Sequence, residues 1–299
     1  MFARNLLLVI VGVACGLNRA NADSVVFDGR LPLSYSTADI DASANPYLTV
    51  VKGSEAASHY SQPLGTSVPP TPLSTVQEQA LSITIDGTSI FLPGGSNPQN
   101  GFRRTDFIAQ NTSLTSSLTS VTEVGVTKFH FSIRDDPDLP LNLTHEYQIV
   151  FIEPSDGTHV FDVQLGSPFT NPTAQDLPVA DAASLRVRDH ASDVLFSTAF
   201  TNDTWHNFAV QVDWDQLTLQ VFYSTDGNQL ESVTDVIPNN SVAQGSAGQG
   251  DFHIAVLKLP LVDPSDSAAD QNDVVHFGIQ ENTHEGLFYS GVFVESISS

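Results

Sequence analysis

Cysteine is almost missing from this chain, and positive charge is scarce. The single cysteine, Cys15, lies in an apolar N-terminal run. No second thiol exists to close a disulfide or build a thiolate metal site. Lysine and arginine number 11 against 34 aspartates and glutamates, for a formal net charge of −23. Such a charge argues against nucleic acid or an anionic membrane as partner. Charged residues make up only 15% of the chain, below the roughly 25% of average soluble proteins. The familiar hydrolase signatures are missing too: there is no G-x-S-x-G elbow, no P-loop and no H-E-x-x-H. His145-Glu146 starts like the last of these, but Ile149 stands where the second histidine belongs.

What is present is a large apolar complement, 40% of residues with 18 phenylalanines, in a background rich in Ser, Thr, Asn and Gln. That is the composition of a secreted β-rich protein. Arg4, the apolar run Leu6 to Gly16 and the Ala20-Asn21-Ala22 site have the layout of a signal peptide over residues 1–22. The run is too short to cross a bilayer. The expected mature chain starts at Asp23, is extracellular and has no cysteine. Asn111, Asn142, Asn202 and Asn239 head N-x-S/T sequons and are the candidate glycosylation sites.

Strand periodicity dominates. Leu81 to Gly87, Lys128 to Arg134, Glu146 to Glu153, Asn207 to Trp214, Leu217 to Tyr223, Phe252 to Leu257, Val274 to Gln280 and Leu287 to Val294 read as strands. Asp215-Gln216 reads as a two-residue hairpin link. Ser74-x-x-Gln77 has the pattern of a capping box and predicts a short helix. Many short strands without a long repeat predict an all-β fold, a β-jelly roll or two-sheet sandwich, as one domain over residues 23–299.

Alternation places Phe102, Arg104 and Asp106 on one strand face and Arg103, Thr105 and Phe107 on the other. It puts Glu146 and Gln148 on one face, opposite His145 and Tyr147. Lys128, His130, Ser132 and Arg134 share a polar face. Together these residues predict a polar groove suited to the directional hydrogen bonds of a saccharide. Trp205 reads as a core residue rather than a sugar platform. Asp263, Asp266, Asp270 and Asp273 lie in one loop; a solvated acidic loop explains them better than a Ca²⁺ site.

These segments together resemble the fungal glycoside hydrolase family 131 β-glucanases, over nearly the whole mature chain. The likeness runs from Val26-Phe-Asp-Gly-Arg30 through Gly101-Phe-Arg-Arg104, Pro140-Leu-Asn-Leu-x-His-Glu-Tyr-Gln148 and Trp205-His-Asn-Phe-Ala-Val210. It ends at Leu257-Lys258 and Glu285-Gly-Leu-Phe-Tyr-Ser-Gly291. The resemblance implies a jelly roll acting on β-1,3-, β-1,6- or β-1,4-linked glucans, with no cofactor and no metal. It also implies a catalytic pair of glutamates. One maps onto Glu146. The other maps onto Asp106, where aspartate replaces glutamate and the carboxylate retreats by roughly one bond, a shift that can cost about 100-fold in rate. Arg104, His130, His145, Gln148, Lys258 and Glu285 become the candidate substrate-binding residues. Arg104 beside Asp106 favours a base role for that carboxyl, leaving Glu146 as acid, with inversion of the anomer. The competing readings are a non-catalytic glucan-binding jelly roll and a glucuronan-type polysaccharide lyase.

Overall fold

The structure, a computed structural model, describes residues 24–111, 115–239 and 250–298. The expected signal peptide, residues 1–22, lies outside the described residues. Among the described residues, sixteen strands follow one another. The first eight are β1 (Ser24–Asp28), β2 (Tyr47–Leu48), β3 (Ser61–Pro63), β4 (Leu81–Ile85), β5 (Arg103–Ala109), β6 (Val126–Asp135), β7 (Glu146–Pro154) and β8 (Phe161–Gly166). Next come β9 (Ser184–Asp189), β10 (Val194–Ala199), β11 (His206–Asp213) and β12 (Thr218–Thr225). The last four are β13 (Glu231–Ser232), β14 (Ile237–Pro238), β15 (Gly250–Lys258) and β16 (Glu285–Ser296). The two α-helices, α1 (Thr37–Asp41) and α2 (Thr115–Thr122), are short.

The strands form two antiparallel sheets. The nine-stranded sheet runs β13-β12-β11-β6-β16-β4-β3, with β1 added against β16 and β14 against β12. The seven-stranded sheet runs β10-β9-β8-β7-β15-β5-β2. This is the jelly-roll sandwich expected from the periodicity. Every second residue of each central strand enters the shared core. Phe107, Ile152, Phe161, Val163, Ile254 and Val256 enter from the smaller sheet; Phe129, Phe131, Phe208, Val210, Leu287 and Tyr289 enter from the larger one. Phe129 meets Phe161 and Phe252 edge-on, at centroid distances of 5.9 and 5.0 Å. The chain's described ends pair with each other, Ser24 lying opposite Ser296.

Three local expectations are corrected. Val274 to Gln280 is not a strand. Only Ile279 forms a bridge there, to Leu261, and Gly278 takes a φ of +112° that breaks extension. Ser74 to Gln77 is not helical. It belongs to a strap, residues 64–80, that crosses the outer face of the larger sheet and is rich in proline. Side-chain bonds hold the strap: Ser290 Oγ accepts from Thr71 N at 3.0 Å, and Thr71 Oγ1 donates to Asn207 Oδ1 at 2.7 Å. These tertiary contacts override the weak capping signal. The β11–β12 hairpin has four linking residues rather than two, with Leu217 at φ +52°. Trp205 is a core residue, as expected. It packs with Ala80 and Phe288 in a satellite cluster under the strap and donates from Nε1 to Pro69 O at 3.2 Å.

Candidate active site on the seven-stranded sheet

The turn before β5 is shaped by Gly101. A Cβ there would lie 2.1 Å from Val274 O, so only glycine lets the two backbones approach. Arg103, buried just beyond it, donates to Asn100 O and Phe102 O and fixes the strand's entry. Phe107 then points into the core, which turns Arg104 and Asp106 to the outer face. The same logic at β7 buries Tyr147 and turns Glu146 and Gln148 outward.

Asp106 is 1% exposed. Arg104 donates to it from both Nε (3.2 Å, to Oδ1) and Nη2 (to Oδ2). His253 of β15 donates from Nδ1 to Oδ2 at 3.0 Å. Burial pushes this carboxyl up, but the Arg104 charge and the His253 and Arg104 hydrogen bonds outweigh it and hold it below its ordinary value. Asp106 is therefore ionised. Oδ2 is fully engaged, and Oδ1 keeps one free lone-pair site. The same Arg104 guanidinium lies 3.4 Å from Glu153 Oε2. Asp106, Glu153 and His253 bring ligand-type atoms within 4.8 Å of one another. Arg104 already supplies the positive charge between the two carboxylates.

Glu146 forms a separate centre. It accepts from Arg188 Nη2 (3.0 Å), Phe169 N (2.7 Å) and Gln148 Nε2 (3.1 Å). Arg188 also holds Asp162 through Nε at 2.8 Å and Nη2 at 3.0 Å, and its own ionisation is pushed up by Asp162 and Glu146 against the cost of burial. Asp106 and Glu146 thus share a sheet face without touching. β15 runs between their strands, and the register sets them about four residues apart along it. At 4.8 Å per strand and 3.3 Å per residue, their Cα atoms are roughly 16 Å apart.

The remaining candidates separate. Gln148 and Arg104 stand on the same face as the two carboxylates. His130 does not. β6 belongs to the other sheet, so His130 faces the opposite side of the sandwich, bonded to Glu295 at 2.9 Å and stacked on Phe293. The single groove expected to join it to Glu146 does not form. His145, Lys258 and Glu285 point inward rather than into a groove. Lys258 Nζ donates at 2.8 Å to both Glu285 and Glu281, and Tyr147 Oη donates to Glu285. His145 lies between Leu259 O (2.7 Å) and Glu281. Burial raises the Glu281 carboxyl, yet Lys258 and His145 bring it down to about 2. This network ties the two sheets together beneath the strand that carries Glu146. Among the sequons, Asn111 and Asn202 are exposed and Asn142 is half-buried. Asn239 is 3% exposed and uses its side chain on Val160 O and His190 N, so the folded chain has no room for a glycan there.

Sequence reasoning missed His253, Glu153, Asp162 and Arg188. Each is a polar residue on the outer face of an ordinary strand. The available signal was scarcity: in a chain with so few cations, Arg188 on an alternating strand marks a buried carboxylate.

A two-sheet sandwich with ion-paired carboxylates buried on one outer sheet face belongs among the carbohydrate-acting jelly rolls. More narrowly, the chain belongs to glycoside hydrolase family 131, since residues 25–299 match the glycoside hydrolase 131 catalytic N-terminal domain. Two solved structures are similar to it. One is a GH131 β-glucanase catalytic domain from Podospora anserina, 24% identical, with a TM-score of 0.66, covering 92% of this chain and 98% of that one. The other is the catalytic domain of the glycoside hydrolase family 131 protein from Coprinopsis cinerea, 25% identical, with a TM-score of 0.65 and coverages of 91% and 94%. No curated protein sequence matches.

Proposed function

We propose that this glycoside hydrolase cleaves β-1,3/1,6- and/or β-1,4-glucosidic bonds of a glucan laid across the outer face of the seven-stranded sheet. The observation that carries this is Asp106, an ionised carboxylate held by Arg104 and His253 on that face; its side chain is fully covered as it stands, so substrate binding must open it to the attacking water. Asp106 takes the proton of that water as general base, and the water attacks the anomeric carbon. Glu146 protonates the departing glycosidic oxygen. For this it must first take up a proton from solvent as its bonds to Arg188 and Phe169 give way to one with the substrate, because as it stands it only accepts. An inverting pair needs carboxyls roughly 6.5–9.5 Å apart, so Glu146 must swing from Arg188 toward Asp106 when the substrate binds. Arg104 and Gln148 then bind sugar hydroxyls. The reading includes secretion after loss of residues 1–22 and glycans on Asn111, Asn142 and Asn202 but not Asn239.

A second pairing has its own support. Asp106 and Glu153 carboxylate oxygens lie within 4.8 Å, the close spacing of a retaining pair. Proton NMR of the first-formed product on laminarin-type, pustulan-type and cellulosic glucans tests both. An inverted anomer supports Asp106 with Glu146, a retained one supports Asp106 with Glu153, and no reducing sugar from any glucan overturns the hydrolase reading.

A further inference from the structure

We infer that the outer face of the nine-stranded sheet carries a second, non-catalytic groove for a neutral glucan chain. The inference rests on the hydrolase reading above and gives that enzyme a separate hold on its polymer.

A cavity of about 580 Å³ opens beside the strap, where β3, β4 and β16 run side by side. The register aligns Gln62, Ser82 and Phe288 in one row across its floor. Phe288 and the strap residues Leu64 and Val68 form an apolar strip. Around this strip stand groups with unused hydrogen-bonding capacity. The side chains of Gln62, Ser82, Asp138 and His284 make no hydrogen bond to any described residue. Ser82 is only 3% exposed, and its hydroxyl turns into the cavity.

The chemistry of the lining selects the ligand. A sugar ring presents C–H faces to an apolar strip and hydroxyls at its rim. Amide, hydroxyl, imidazole and carboxylate groups can serve those hydroxyls in both directions, and a carboxylate such as Asp138 accepts from two neighbouring ones. No lysine or arginine lines the cavity, while Asp136 and Asp138 do. Added to the net charge of −23, this excludes uronates, phosphates and other anionic polymers. Asp106 and Glu146 lie on the other sheet, so a chain bound here is out of their reach. What remains is an uncharged polyhydroxyl chain that is held and not cut.

The test uses the whole protein with two variants, Gln62→Ala combined with Asp138→Ala, and Ser82→Tyr, which fills the groove. Sedimentation with insoluble β-glucan at low temperature measures binding; hydrolysis of short soluble gluco-oligosaccharides measures the catalytic face. We expect at least tenfold weaker binding to the polymer and unchanged turnover of the oligosaccharides. If Ser82→Tyr fails to fold, the double variant, at two exposed positions, decides alone. Unchanged polymer binding overturns the second groove. So does a parallel loss of oligosaccharide turnover. A wild-type protein that neither binds nor cuts glucans overturns the parent reading as well, whereas normal hydrolysis with unaltered variants overturns the groove alone.

Discussion

His159 and His253 stack on the two faces of Phe151, at centroid distances of 4.6 and 4.7 Å, and each imidazole is bonded to its own aspartate. His159 pairs with Asp162, itself held by Arg188; His253 pairs with Asp106, itself held by Arg104. A row of arginine, aspartate and histidine side chains therefore crosses five strands, β9, β8, β7, β15 and β5, with the Phe151 ring at its centre.

Because His253 is one of the groups depressing Asp106, His253→Gln should raise that carboxyl's pKa. The acid limb of the activity profile should then move to higher pH, and turnover should fall by at least tenfold. A pH–rate profile checks this. A limb that stays in place would detach His253 from the base.

Glu146→Gln keeps the side chain's shape and leaves Arg188 bound to Asp162, so the fold should hold. Hydrolysis should drop by about 10²- to 10⁴-fold, the usual weight of a general acid. Initial rates on a natural glucan measure it. Near-normal rates would shift the acid role to Glu153.

The shortened residue gives a third test. Asp106 already makes three hydrogen bonds with its side chain fully buried. Asp106→Glu must fit an extra methylene into that space, which typically costs about 1–3 kcal/mol. We expect lower stability and lower activity, not a gain. Thermal melting and kcat/KM decide; a rise in both would show that the site had room for the longer acid.

Glu123, near the end of α2, is buried and raised to about 9 by burial and by neighbouring Asp251. The folded state therefore holds this proton when the unfolded chain has released it. The group's contribution to stability is full below the unfolded value of about 4.5 and is lost as pH rises through about 9. Glu123→Gln removes the titration and still accepts from Gly250 N. The variant should melt a few degrees higher than wild type at pH 8 (~2–4 °C per kcal/mol) and equally at pH 4. An equal shift at both pH values would refute the linkage.

Lys258 and Glu285 are each 1% exposed and join the two sheets. Lys258→Met leaves Glu285 buried without its cation, at a cost of about 3–5 kcal/mol. Adding Glu285→Gln should recover part of this. Denaturant titration of both proteins measures the coupling, and simple additivity would contradict it.

The alternation around Arg104, Asp106 and Glu146 carried the correct faces of β5 and β7, because period two needs only the neighbouring core residues. It carried nothing about which strands are neighbours. β6 and β7 follow one another in the chain yet enter different sheets, and that crossover is what separates His130 from Glu146. Pairing is decided by contacts between residues far apart in sequence, such as Arg188 with Glu146, and no local pattern records them. Ser74 shows the opposite failure. Its capping signal is real, but Thr71's bonds to Ser290 and Asn207 draw the segment into an extended course.

The antiparallel contact of Ser24 with Ser296 has a topological consequence. Both ends of the described chain leave from one corner of the larger sheet. A short linker could join them into a ring, and new ends could be opened at a distant turn such as Asp156-Gly157 without crossing the sandwich. The same contact makes the two ends interdependent. Peeling β1 away strips a partner from β16, the strand that also holds β4 and β6, so damage at either end spreads to the centre of the sheet.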